Sequence, residues 1–183
     1  MKKNSIVQFV CFVTDHTLEI FGPEWEYFAK RFMNNNTEQI LQQQLGESKN
    51  KFQFISQHEW PNSDFQFKFM KERRSEHFPV HTVRVMQAGG YIPLQQEKRK
   101  NKETGDIKLL AFVSHDESDI KFYRGLTLYS QLNIYQAYYE SCTYGYVMEF
   151  FVPKADANEL LLLLKQRTHV ETGLYKECLV PHA

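Results

Sequence analysis

His58-Glu59-Trp60 is the densest concentration of titratable and aromatic chemistry in the chain. An imidazole changes charge near neutral pH and can act as acid, base or ligand. An indole offers a broad face on which a planar molecule stacks. In an extended segment alternate side chains share a face, so His58 and Trp60 point one way, with Phe54, and Glu59 points the other. Such a face either lines a cleft for a small, partly aromatic ligand or completes a mixed core at a hairpin edge. Trp25 lies on an apolar stripe of helical spacing with Phe28 and Phe32, and would pack onto that sheet as cleft wall or as ordinary core.

Further candidates are more dispersed. His16 and His115 both follow short apolar runs, where they either hydrogen-bond a turn or act as acid–base groups at a pocket mouth. Tyr139 is read as the counterpart of His58 in the second half. Arg84, between Val83 and Val85, needs an anion or carboxylate if it points inward, and otherwise marks a solvent-facing position. Tyr135, Tyr138, Tyr139, Tyr144 and Tyr146 cluster as cross-strand packing, a subset offering hydroxyls to a ligand.

The seven histidines form no HxH or HExxH pattern, and the three cysteines, Cys11, Cys142 and Cys178, form no CxxC pair. No metal site, structural zinc or disulfide framework is therefore expected. GxSxG, GxGxxG and GxxxxGK[ST] are all missing, which sets aside nucleotide-binding and serine-hydrolase readings. No cofactor is expected from motifs.

Lys+Arg and Asp+Glu both number 22, so the chain carries no net charge to attract a polyanion, and nucleic acid is not an expected partner. A neutral surface favours self-association, so a homo-oligomer is expected. No apolar stretch reaches the length of a membrane span, and the amino terminus lacks the form of a signal peptide. With unpaired cysteines this predicts a cytoplasmic setting.

The elements that must position these groups follow from patterning. Residues 6–14 read as a buried strand; Gly22-Pro23-Glu24 opens a helix; residues 37–45 suggest a second, polar helix; and 52–58 with 65–69 alternate as a hairpin around Pro61-Asn62-Ser63-Asp64. A strand over 81–86 follows, with a bulge or bend at Gly89-Gly90. Beyond it come a strand over 107–114, a helix from Asp116, a hairpin of 133–141 with 144–152, a helix over 155–166 and a strand over 168–180. The helix over 155–166 carries leucine from Leu160 to Leu164 without a break, apolar on nearly every side and so expected to be well covered.

The two halves repeat. Phe12-Val13-Thr14-Asp15 recurs as Phe112-Val113-Ser114-His115, Phe65 to Phe69 as Tyr146 to Phe150, and His81 and Pro93 as His169 and Pro181. Each half reads β-α-β-β-α-β, the ferredoxin-like order. This predicts an α+β chain with a first repeat over 1–96, a basic linker or hairpin over 97–106 and a second repeat over 107–183. A four-stranded sheet with helices on one face leaves the other face bare. Burying each Phe or Leu there is worth roughly 1.5–3 kcal/mol. The two sheets should therefore pack together with helices outside.

That order and repeat resemble the dimeric α/β-barrel superfamily, here as a fused pseudo-dimer. The resemblance spans the whole chain and rests on element order rather than on a motif. The superfamily includes antibiotic-biosynthesis-type monooxygenases, haem-degrading enzymes and chlorite-dismutase-like haem proteins. It implies a pocket between sheet and helices and, by extension, monooxygenase-like chemistry without a metal. Haem through a histidine is an alternative, as is a non-enzymatic assembly or regulatory module.

Overall fold

A computed structural model describes residues 5–14, 39–45, 51–64, 66, 83–96, 106–116 and 120–178. Eight strands dominate: β1 (Ile6–Thr14), β2 (Gln39–Gln44), β3 (Phe54–Trp60), β4 (Val83–Gln95), β5 (Ile107–Val113), β6 (Gln131–Ala137), β7 (Tyr146–Val152) and β8 (Val170–Cys178). Among the described residues the helices are α1 (Ile120–Arg124) and α2 (Ala157–Lys165), both in the second half.

All pairings are antiparallel, and the strands close into a barrel in the order β1-β3-β2-β8-β5-β7-β6-β4. Residues 6–95 thus contribute β4-β1-β3-β2 and residues 107–178 contribute β8-β5-β7-β6, the same relative order twice. The registers agree as well. Gln8 pairs with His58 where Leu109 pairs with Phe150, and Val7 pairs with Tyr91 where Lys108 pairs with Tyr175.

The sheets were expected to stack as two layers. Instead they join edge to edge, through β2 with β8 and β4 with β6, into one closed surface. Closure satisfies edge groups that two stacked sheets would leave unpaired. Mutual burial of the apolar faces is nevertheless present. Val7, Phe9, Cys11, Ile55 and Tyr91 from one half meet Leu110, Phe112, Tyr135, Val147 and Tyr175 from the other inside the barrel. Phe9 packs edge-to-face on Tyr91 of its own half and on Phe112 and Tyr135 of the other, and the last two contacts knit the halves together.

A second core lies outside the barrel on the second half. Leu109, Ala111, Val113, Leu132, Ile134, Met148, Phe150 and Val152 are covered there by Tyr123 of α1 and by Ala157, Leu160, Leu161 and Leu164 of α2. Both helices are shorter than expected. The leucine run is not covered all round, since Leu162 is 64% exposed.

Three local expectations are corrected. Residues 39–44 are strand β2 rather than helix, because pairing with both β3 and β8 at the seam outweighs the weak helical preference of a glutamine-rich segment. The partners of β3 are β1 and β2, not residues 65–69. Gln66 sits in a helical turn, its N–H bonded to the Asn62 carbonyl at 3.4 Å; Phe65 and Phe67 to Phe69 lie outside the described residues. In topology and register residues 146–152 therefore correspond to 54–60, and Tyr175 to Tyr91.

Candidate functional site

Gln8 interrupts an otherwise apolar β1, and alternation places it with Ile6 and Val10 on the outer face of the barrel. Its Cα partner on β3 is His58, and its partner on β4 is Gly90. Ser56, His58 and Trp60 continue that face along β3. His58 is 2% exposed and Trp60 also 2%. Their rings stack at 5.9 Å with an interplanar angle of 11°. The indole Nε1–H donates to Gln8 Oε1 at 3.0 Å, and Ser56 Oγ lies 2.6 Å from His58 Nε2. His58 Nδ1 is buried and has no hydrogen-bond partner among the described residues.

Burial without a charged partner lowers the His58 pKa to about 4, so the ring is neutral at physiological pH. A serine hydroxyl against an imidazole is the pairing of an activated nucleophile. A base weakened this far is poorly matched to proton abstraction near pH 7. Glu59, the nearest carboxylate in sequence, projects to the opposite face and is exposed. The arrangement is suited to recognition by stacking and directed hydrogen bonds.

The missing side chain at Gly90 matters here. A Cβ at that position would stand 2.9 Å from Gln66 Nε2 and 3.0 Å from Tyr139 Cε2. Gln66 and Tyr139 thus approach the same outer face, the Tyr139 hydroxyl donating to Gln66 Oε1 at 3.3 Å. Gly90 is two strands from His58, roughly 10 Å at ordinary strand spacing.

The structure therefore unites His58 and Trp60 and brings Tyr139 to the edge of their face. Tyr139 is not the counterpart of His58, as the sequence suggested; register gives that place to Phe150. His115 lies apart, exposed at the end of β5, its Nε2 2.7 Å from the Cys142 carbonyl. It lines a cavity of about 210 Å³ with Tyr138, Tyr139, Glu140 and Tyr146. Arg84 is in β4 opposite Val13, and its side chain lies outside the described residues, as does the whole of Trp25. His16 is likewise outside them, and so are His77 and His81, which stand four residues apart. Sequence reasoning missed Gln8, Ser56 and Gln66 as members of the site. The signal for Gln8 was its position inside an apolar run.

A second polar group was also unforeseen. Inside the barrel, Glu149 accepts from Lys108 at 2.6 Å, Asn133 at 2.7 Å and Tyr135 at 3.2 Å, while Lys108 also meets Glu177 at 3.1 Å. Burial, and then the charge of Glu149, hold the Tyr135 hydroxyl well above its usual pKa. With these partners Lys108 and Glu149 read as a structural clasp.

No protein-family model matches the sequence, and no curated protein matches it. Solved structures do. The chain is similar to a mutant chlorite dismutase from Candidatus Nitrospira defluvii at 8% identity and a TM-score of 0.58, covering 96% of this chain and 92% of that one. Another mutant of that enzyme matches at 7% identity and 0.57, covering 94% and 91%. Its complex with imidazole matches at 9% and 0.53, again covering 94% and 91%. At this identity the likeness establishes the fold, which is that of the dimeric α/β-barrel proteins.

A haem can be tested against the residues present. In the second half the space between sheet and helices is filled by Tyr123, Phe150, Leu160 and Leu164, all completely buried, and His115 and His169 are exposed. Those residues do not fit a haem. In the first half His58 is the one buried imidazole among the described residues, neutral and with one ring nitrogen unpartnered, so it is the residue that would hold a haem iron. No group of three metal-ligating side chains occurs among the described residues. No described helix is long and apolar enough to cross a membrane.

Proposed function

We propose that the chain is a duplicated βαββαβ unit, residues 1–96 and 107–183 joined through 97–106. In this reading one copy keeps an apolar sheet–helix interface and the other uses the same face to bind a small planar, partly aromatic molecule. The observation that carries this is the unpartnered Nδ1 of His58, buried beside Trp60. Burying a polar atom without a partner costs about 1–3 kcal/mol. A ligand that satisfies the nitrogen and extends the Trp60–His58 stack recovers that cost on binding. Trp60 supplies the stacking surface, Gln8 fixes the indole, and Ser56 fixes the imidazole.

Thermal unfolding tests this with a panel of phenols, indoles and fused heteroaromatics. A ligand selective for the folded state raises the unfolding temperature in proportion to its concentration over its Kd. Trp60→Ala and His58→Phe should abolish the shift. Shifts that survive both substitutions rule the face out.

A second reading, haem held through His58 Nδ1, is favoured by the fold shared with chlorite dismutases and by the neutral state of that imidazole. When bound, haem would supply redox and oxygen chemistry, and His58 would hold it. A one-to-one haem titration with a Soret shift that disappears in His58→Phe would select this reading over the first.

A further inference from the structure

The β6–β7 connection builds a second site that meets the His58 face only at Tyr139. Residues 138–145 are held by four links: Ala137 N–H to the Gly145 carbonyl at 2.7 Å, Tyr138 N–H to the Gly90 carbonyl at 2.9 Å, Cys142 N–H to the Tyr139 carbonyl at 3.1 Å, and Cys142 Sγ to the Gly90 carbonyl at 3.5 Å. A Cβ on Gly145 would stand 2.8 Å from His115 Cα, so only glycine lets the two backbones close this tightly. Because a carbonyl only accepts, His115 Nε2 carries the proton it shares with Cys142, which fixes the ring.

Within this frame Tyr138 and Tyr139 stand at 84° with centroids 4.8 Å apart, two perpendicular walls of the 210 Å³ cavity. Tyr146 adds a third aromatic ring, and Glu140 adds a carboxylate. No lysine or arginine lines it among the described residues. Burial, with the neighbouring Tyr138, Cys142 and Asp64, raises the Tyr139 pKa, so its ring stays a neutral phenol. The volume lies below the roughly 300–1,000 Å³ of sites for drug-sized ligands, which limits the occupant to a compact group.

We infer that the corner formed by Tyr138, Tyr139 and Tyr146, with Glu140 beside it, binds a methylated ammonium ion. Aromatic faces attract a cation through their quadrupole, and a methylated ammonium loses little hydration on entering such a corner. Glu140 supplies the opposite charge.

Calorimetric titration of the full chain with choline and with its uncharged isostere 3,3-dimethylbutanol tests this. Choline should bind about tenfold more tightly than the isostere. Tyr138→Ala and Glu140→Gln each alter an exposed side chain and should preserve the fold; each should weaken choline by a similar factor. His58→Phe should leave choline binding unchanged, which separates this site from the sheet face. Equal affinity for the two probes, no heat with choline, or full binding in both pocket variants overturns the proposal.

Discussion

The two outer sheet faces of this molecule occupy the same register but have different chemistry. Ile6, Gln8 and Val10 stand where Ile107, Leu109 and Ala111 stand, and Ser56, His58 and Trp60 stand where Met148, Phe150 and Val152 stand. The second set is wholly apolar and sealed by α1 and α2. The first buries a serine, a glutamine, an imidazole and an indole at matching positions. Since the backbone pairing is the same, topology does not require those polar groups. Each costs desolvation that the equivalent Leu, Met or Phe avoids. Among the described side chains the difference lies on adjacent positions of β1 and β3, as expected of a site.

The comparison breaks most visibly if its polar character is moved to the other half. Phe150→His places an imidazole among Leu132, Met148 and Leu160, losing the burial of a phenyl ring and adding an unsatisfied polar group. A loss of about 4 kcal/mol is expected, read as a lower urea midpoint at unchanged slope. A loss below about 1 kcal/mol would mean that both faces tolerate polar groups, and the contrast would carry no function.

Acid titration probes the first face in place. Burial lowers the folded pKa of His58 to about 4 from the ordinary imidazole value of 6.5, so the unfolded chain binds more protons between those values. Stability therefore rises with pH across this window. The contribution is whole above about pH 6.5 and is lost as pH falls to about 4, near 3 kcal/mol in all. Phe150 has no such proton. Denaturant midpoints from pH 7 to pH 4 should fall in the parent and flatten in His58→Phe; an identical slope in both would show that His58 is protonated when folded.

How far this face could be read in advance varies by residue. His58 and Trp60 were legible, because alternation within a short strand fixes which side chains share a side. Tyr139 was matched to the wrong partner, because internal similarity between Phe65–Phe69 and Tyr146–Phe150 is of residue type and not of register. The difference begins at residues 39–44: glutamine suits a helix, and pairing with both β3 and β8 makes this segment a strand. Reading that strand as a helix moves the two middle strands of the first half by one element and leaves β4 in place. The barrel-lining Lys108–Glu149 pair was invisible for a similar reason, since alternating charge in a strand ordinarily marks a solvated side and the second half conceals it inside. The cavity at His115 depends on a turn conformation and on Gly145, neither of which residue types alone reveal.

Gln8→Leu copies Leu109 into the first half and removes the acceptor 3.0 Å from the Trp60 indole. Loss of a buried hydrogen bond should cost about 1–2 kcal/mol, partly offset by the added apolar burial. The Trp60 emission spectrum should change with it, since the indole loses the group that orients it; an unaltered spectrum would remove Gln8 from the site.

The smallest expected change in stability, and the sharpest test, is His58→Phe. It restores the residue type found at the equivalent position, where Phe150 packs at full burial. It also removes the unpartnered Nδ1. The gain in apolar burial and the relief of that atom oppose the lost contact to Ser56 and the slightly larger ring. Stability at pH 7 should stay within about 1 kcal/mol of the parent. A purely structural imidazole, integral to the packing of the first half, would instead make this substitution as costly as Phe150→His. A variant that folds as well as the parent yet no longer responds to any aromatic ligand would mean that His58 is retained against the interest of packing, which is the mark of a residue kept for what it binds.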